Sequence, residues 1–245
     1  MEAGTPPNSE RAESQGVPRT GTFTRSNQTF SMSRYRAVVF DLWGALVDDL
    51  RSPAANRLRF GHKMDEMAEL LGVNGKEFVE ARFAGFDERM IGAAPTTEAA
   101  LSGIAGNLGI EIDDGLVHAV AEVWYAYVRC SISPRAGTVE TISMLRESGF
   151  KVGLISNCIE EFALLWDSTP FAPPVDAAVL SFEVDAAKPD PAIHCMASVW
   201  LEVSPERCLY IGDGADPELS GASEAGVSVV LMRSPYDLAD GNRVG

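Results

Sequence analysis

At 245 residues, 46% of them hydrophobic and 22% charged, the chain can bury the core of one large domain or two small ones. A formal charge of −15 argues against nucleic acid or an anionic membrane surface as a partner, and no apolar run approaches the ~20 residues of a membrane span. Four scattered cysteines (Cys130, Cys158, Cys195 and Cys208) form no CxxC pair, which speaks against a thiolate metal site or a disulfide framework and suits a reducing cytoplasm.

Residues 1–34 are rich in Pro, Gly, Ser, Thr and Asn and poor in groups to bury, so they are expected to be a disordered tail. The tail lacks the apolar stretch of a secretory signal, and Met32 offers a second start just before the first strand. Val38 to Leu42 is an apolar run that closes on a carboxylate, Asp41, and is followed by Gly44 and a turn. It is expected to be a buried strand of a parallel sheet with Asp41 at its carboxyl end, where open α/β sheets place their ligands.

A long helical stretch follows. Met64, Met67, Leu70 and Leu71 share one helical face that stops at Gly72. Thr96 is an N-cap candidate for a helix through Leu101 and Ile104 that ends near Gly106. Leu116, Val120, Val123, Trp124 and Tyr127 form the next face, and Trp124 and Tyr127 are read there as core packing. Arg57, Arg59, His62, Arg82 and Arg89 are expected on solvated helix faces, His118 and His194 at helix surfaces or ends, and Asp48 and Asp49 at a solvated entry to this region.

Strand–helix alternation resumes at Lys151. Strands are expected at Val152–Ile155, Ala177–Leu180, Cys208–Ile211 and Val227–Leu231, with helices between them, one through Val139, Ile142 and Leu145 and another beginning at Asp190-Pro191 as N-cap and N1. Strands separated by helices give right-handed crossovers and a doubly wound parallel α/β sheet. Residues 35–50 and 131–245 then form a Rossmann-like core, with 51–130 inserted as a helical cap.

Three more polar residues fall at strand ends or just beyond: Ser156 with Asn157 beside it, Lys188 before the Asp190 helix, and Asp213 in Gly212-Asp213-Gly214. Two carboxylates suit Mg²⁺, a hard cation that takes oxygen ligands. A lysine and a hydroxyl hold phosphate oxygens by charge-assisted hydrogen bonds, and a carboxylate can itself be the nucleophile.

Asp41-Leu42-Trp43-Gly44-Ala45-Leu46, Ser156, Lys188-Pro189-Asp190-Pro191 and Gly212-Asp213-Gly214 through Glu218, Gly221, Ala222, Ala225 and Gly226 resemble the four motifs of the haloacid dehalogenase-like hydrolases, over roughly 35–245. The resemblance implies that Asp41 is the nucleophile, that Ser156 binds the transferred group, and that Lys188 steadies both nucleophile and phosphate; Asn157, next to Ser156, is expected to touch substrate. It also implies a Mg²⁺ site of Asp41, the Trp43 backbone carbonyl and Asp213, with Glu218 supporting the ion directly or through water. Two positions depart from the family pattern. Trp43 stands where family phosphatases carry a second Asp that acts as general acid–base, and Ala45 where a Thr is usual.

Three functions remain open on this reading. The foremost is Mg²⁺-dependent hydrolysis of a small phosphorylated metabolite through an aspartyl-phosphate. The second is metal-free 2-haloacid dehalogenation, which the aromatic Trp43 favours but the Asp213–Glu218 pair does not. The third is an anion-binding protein of the same fold with weak or no turnover. No macromolecular partner is expected beyond a second copy, as monomer or homodimer.

Overall fold

The computed structural model describes residues 22–25, 28–47, 63–215 and 217–233. Residues 1–21, Asp48, Asp49, Arg57, Arg59 and His62 lie outside them. The stretch expected to be a featureless tail carries structure where it is described. Strand β1 (Thr22–Arg25) pairs antiparallel with β2 (Gln28–Ser31), and a 3-10 turn spans Met32–Arg34. The register pairs Phe23 with Phe30 and Thr24 with Thr29.

The core is a five-stranded parallel sheet of β3 (Ala37–Asp41), β4 (Lys151–Ser156), β5 (Ala177–Leu180), β6 (Cys208–Gly212) and β7 (Ser228–Leu231), in the order β5-β4-β3-β6-β7. β3 is central, and the chain builds outward from it first on one side and then on the other. The crevice at such a reversal is where open α/β sheets bind ligands. Strand alternation divides the apolar residues: Val38 and Phe40 enter one core, Ala37 and Val39 the other. Helices α6 (Thr138–Glu147) and α7 (Glu160–Leu165) pack in the first core. The second holds α9 (Pro191–Trp200) and α10 (Glu218–Glu224), while the short α8 (Ser181–Val184) follows β5 directly. Asp190 caps α9 as expected, its side chain accepting from the Ala192 N–H at 2.9 Å.

Between β3 and α6 lies the helical cap: α1 (63–71), α2 (Gly75–Phe83), α3 (Phe86–Met90), α4 (Thr97–Asn107) and α5 (Asp114–Ser131). Thr96 caps α4 by accepting from the Ala99 N–H at 3.1 Å. The cap's two connections run side by side, with Val47 bridged antiparallel to Pro134 and the Arg135 N–H donating to the Leu46 carbonyl at 3.0 Å. Trp124 is fully buried in α5, and no helix among the described residues is long and apolar enough to cross a membrane.

Four side chains sit elsewhere than expected. Leu70 is 41% exposed, because α1 turns Met67 and Leu71 inward instead. Arg82 and Arg89 are buried rather than solvated, held against acidic groups of α7 and the Trp124 ring. His194 is buried too, edge-on to the Tyr210 ring at 4.8 Å, and burial lowers its pKa to about 4. His118 is exposed, as expected.

Candidate active site

Parallel register brings three strand ends together. Asp41 closes β3 opposite Ile155, so Ser156 closes β4 one step beyond, and on the other side β6 runs through Gly212 into Asp213. Glu218 opens α10, and Lys188 comes from the segment before α9. That segment is fixed by Asn157, whose amide donates to the Lys188 carbonyl at 2.9 Å and accepts from its N–H at 2.7 Å. Asn157, expected to touch substrate, bonds through its side chain to the backbone of Lys188.

The Lys188 ammonium is the hub. It donates to Asp41 Oδ1, to Glu218 Oε2 at 2.6 Å and to the Tyr210 hydroxyl at 3.1 Å. Tyr210 in turn donates to Glu218 Oε2 at 2.6 Å, and the Gly214 N–H donates to Glu218 Oε1 at 3.0 Å. Asp213 Oδ1 accepts from the Ala215 N–H at 2.9 Å. Asp41, Lys188 and Glu218 are all buried, and Asp213 is half-buried.

Burial pushes the Asp41 carboxyl up to about 7, with Glu218 and Asp213 adding to the rise and Lys188 opposing it. Burial works against the Lys188 charge, yet Asp41 and Glu218 outweigh it and hold its pKa above the usual lysine value. For Glu218 burial again opposes charge, and the bonds from Lys188, Tyr210 and Gly214 keep the carboxyl below its usual value. Tyr210 is held well above the ordinary phenol value, first by burial and then by the neighbouring carboxylates.

Carboxylate oxygens of Asp41, Asp213 and Glu218 lie within 4.8 Å of one another. Three acids against one ammonium leave negative charge uncompensated when ionised, and an all-oxygen donor set of this kind fits Mg²⁺. Two close approaches keep the walls in place. Gly44 has φ +85°, and a Cβ there would collide with the Asp213 carboxylate. Gly221 lets α10 lie against the Pro189 backbone, where a Cβ would strike the carbonyl.

Trp43 turns its ring onto α7, edge-to-face with Phe162 at 5.8 Å and 63°. Ala45 is fully buried, and Ser156 is buried with its hydroxyl 3.4 Å from the Asn157 carbonyl. Tyr210 was not singled out in the sequence. The available signal was its place inside a buried strand, since a buried phenol requires a partner for its hydroxyl.

Comparison with known proteins points to one family. The family model for haloacid dehalogenase-like hydrolases matches residues 35–226. A glyceraldehyde 3-phosphate phosphatase of Methanopyrus kandleri is 29% identical over 131 residues, which are 51% of this chain and 54%, about half, of that relative. An (S)-2-haloacid dehalogenase of Pseudomonas fluorescens is 26% identical over 202 residues, 81% of this chain and 84% of that one. In fold, the chain is similar to a family enzyme from Bacteroides thetaiotaomicron solved with magnesium and inorganic phosphate, with TM-score 0.61, 18% identity, and coverage of 85% of this chain and all of that one. On the matched span and the site it encloses, this chain belongs to the haloacid dehalogenase-like hydrolases.

Proposed function

We propose that this hydrolase is a Mg²⁺-dependent phosphatase of a small phosphorylated metabolite, working through an aspartyl-phosphate on Asp41. The observation that carries the reading is the convergence of Asp41, Asp213 and Glu218, two of them paired with Lys188. A metal-free displacement has no use for three acids in one place, whereas a divalent cation balances them. Asp41, Asp213 and the Trp43 carbonyl would hold the ion, with Glu218 supporting it directly or through water. Bound there, Mg²⁺ would neutralise phosphate charge and favour ionised Asp41.

Asp41 attacks phosphorus through a carboxylate oxygen, the P–O bond to the leaving group breaks, and the electron pair departs with that oxygen. Lys188, held by Asn157, orients the nucleophile and pairs with phosphate charge, and Ser156 supplies a hydroxyl to the phosphoryl group. Water then attacks the acyl-phosphate at phosphorus, releasing phosphate and restoring Asp41. Trp43 provides no proton, so the departing oxygen takes one from solvent or from the cap. The four free cysteines are in keeping with a reducing cytoplasm.

The test is phosphate release from a panel of phosphate esters with Mg²⁺ and with excess chelator, beside halide release from 2-haloacids. Activity that stops on chelation and returns with Mg²⁺ supports the reading. Halide release undiminished by chelator overturns it in favour of the dehalogenase, which the relative from Pseudomonas fluorescens keeps in view.

A further inference from the structure

Tyr210 lies wholly buried in β6, against the hub of the site. Neither the attack by Asp41 nor the later attack of water calls on it. Its hydroxyl nevertheless touches two charged groups at once, and a count of donors and acceptors shows what it holds in place.

An ammonium has three N–H donors, and those of Lys188 face three acceptors: Asp41 Oδ1, Glu218 Oε2 at 2.6 Å and the Tyr210 hydroxyl at 3.1 Å. A carboxylate oxygen offers two lone pairs, and Glu218 Oε2 accepts twice, from Lys188 and from the Tyr210 hydroxyl at 2.6 Å. Oε1 accepts from the Gly214 N–H at 3.0 Å. Glu218 therefore has one oxygen filled by the lysine and the phenol, and only Oε1 keeps a lone pair to support an ion.

The backbone makes room for this arrangement. Gly212 follows Tyr210 by two residues, so both face the same side of β6. A Cβ at Gly212 would collide with Glu218 Oε1 and lie 3.0 Å from Tyr210 Cε1. Glycine thus lets the glutamate fold back across the strand to the phenol. His194 fixes the ring itself, standing nearly perpendicular to it with centroids 4.8 Å apart.

Resting on the phosphatase reading, we infer that Tyr210 is a positioning residue that holds Glu218 on Lys188, and so divides the three acids between two tasks. Glu218 is committed to the lysine, and Asp41 and Asp213 are left as the principal carboxylates for the cation. Without the hydroxyl, Glu218 Oε2 loses one of its two donors and is drawn toward the hard cation, which gains from each added carboxylate oxygen. The ion is then bound more tightly. Lys188 loses its fixed partner, so the ammonium that orients Asp41 and pairs with phosphate is placed less well for reaction.

The experiment uses Tyr210→Phe, which removes the hydroxyl and keeps the ring. Mg²⁺ binding is measured by calorimetry without substrate, and kcat and KM are measured on p-nitrophenyl phosphate at saturating Mg²⁺. The expected result is Mg²⁺ bound roughly threefold tighter, with kcat lower by roughly tenfold and KM little changed. Gly212→Ala is the second variant, because its methyl expels the Glu218 carboxylate from the Tyr210 side, and the same two changes are expected of it. His194→Leu removes packing from the same ring without touching its hydroxyl, and should show neither change. Looser Mg²⁺ binding beside a lower kcat marks a general loosening of the site and overturns the inference. An unchanged kcat, or the same pair of changes in His194→Leu, overturns it too. If the native chain releases no phosphate, the phosphatase reading falls and calorimetry alone decides: tighter Mg²⁺ binding in Tyr210→Phe upholds the division of the acids, and equal or looser binding removes it.

Discussion

Two clusters of buried charge, one around Lys188 and one around Arg82 and Arg89, are built on opposite terms. Around Lys188, the buried polar atoms of Asp41, Tyr210 and Glu218 all have partners, and Glu218 alone accepts from an ammonium, a phenol and a backbone N–H. Around Arg82 and Arg89, six buried polar atoms have none. The first arrangement follows from what it must do. A nucleophile needs its geometry fixed before substrate arrives, because reorganising it during reaction would add to the barrier.

The largest effect expected from breaking this contrast is at Asp41. Asp41→Asn keeps the shape and leaves Lys188 its bond to Glu218, so the fold should hold with melting temperature changed by only a few degrees. Phosphate release should fall by about 10,000-fold or more, as when other covalent nucleophiles are removed. Near-native rates in Asp41→Asn would refute a covalent role for Asp41.

Trp43 stands between the clusters, its backbone near the nucleophile and its ring on α7. Without an acid here, rates on the native chain should depend steeply on leaving-group pKa under single-turnover conditions. Trp43→Asp should speed esters of poor leaving groups by roughly 100-fold, the usual worth of a positioned general acid, and should flatten that dependence. The slope is the measurement to make, since packing lost against Phe162 lowers every rate together. A flat line for the native chain would mean that another group already donates the proton.

Much of the catalytic cluster is legible in sequence, because strand ends are marked by abrupt changes of polarity. Asp41, Ser156 and Asp213 each close or follow an apolar run, and Asp190-Pro191 fixes where the helix after Lys188 begins. The cluster around Arg82 and Arg89 is far less legible. An arginine on a short helix reads as solvated unless the opposing surface is known, and that surface comes from α7, more than 70 residues away in the chain, as the Arg82–Glu161 separation of 79 shows. One signal did exist. Phe78 and Arg82 are four apart and both buried, so Arg82 lies on the inward face of α2. Tyr210 and His194 were hidden for a similar reason: each lies on a face whose partner is set by the sheet order, not by neighbours in sequence.

The clusters should also separate by pH. Burial, then Glu161, lifts the Glu160 carboxyl to about 7 against a usual 4.5, with Arg89 and Arg82 pulling the other way. The folded state thus holds this proton more tightly than the unfolded chain does. Its contribution to stability is full below pH 4.5 and is lost as pH rises through 7, on the order of 3 kcal/mol in all. Glu160→Gln cannot ionise, so its stability relative to the native chain should climb between pH 5 and pH 8 in denaturant titrations. A difference that stays flat across that range would show Glu160 to be well paired after all.

The smallest effect gives the sharpest contrast, because it deletes one polar atom from the satisfied cluster. Tyr210→Phe removes a donor to Glu218 and an acceptor for Lys188 while keeping the ring against His194. Glu218 Oε2 retains Lys188, and Lys188 retains Asp41 and Glu218, so no charge is left bare. The cost should be that of an ordinary buried hydrogen bond, about 1 kcal/mol. At pH 8 the change at Glu160 should move stability in the opposite direction, although it too touches one buried polar group. The two variants measured side by side at that pH therefore decide between the arrangements. Opposite signs mean that the Lys188 cluster is fully paired and the Glu160 carboxyl is not. Equal losses would mean that both are structural ion pairs.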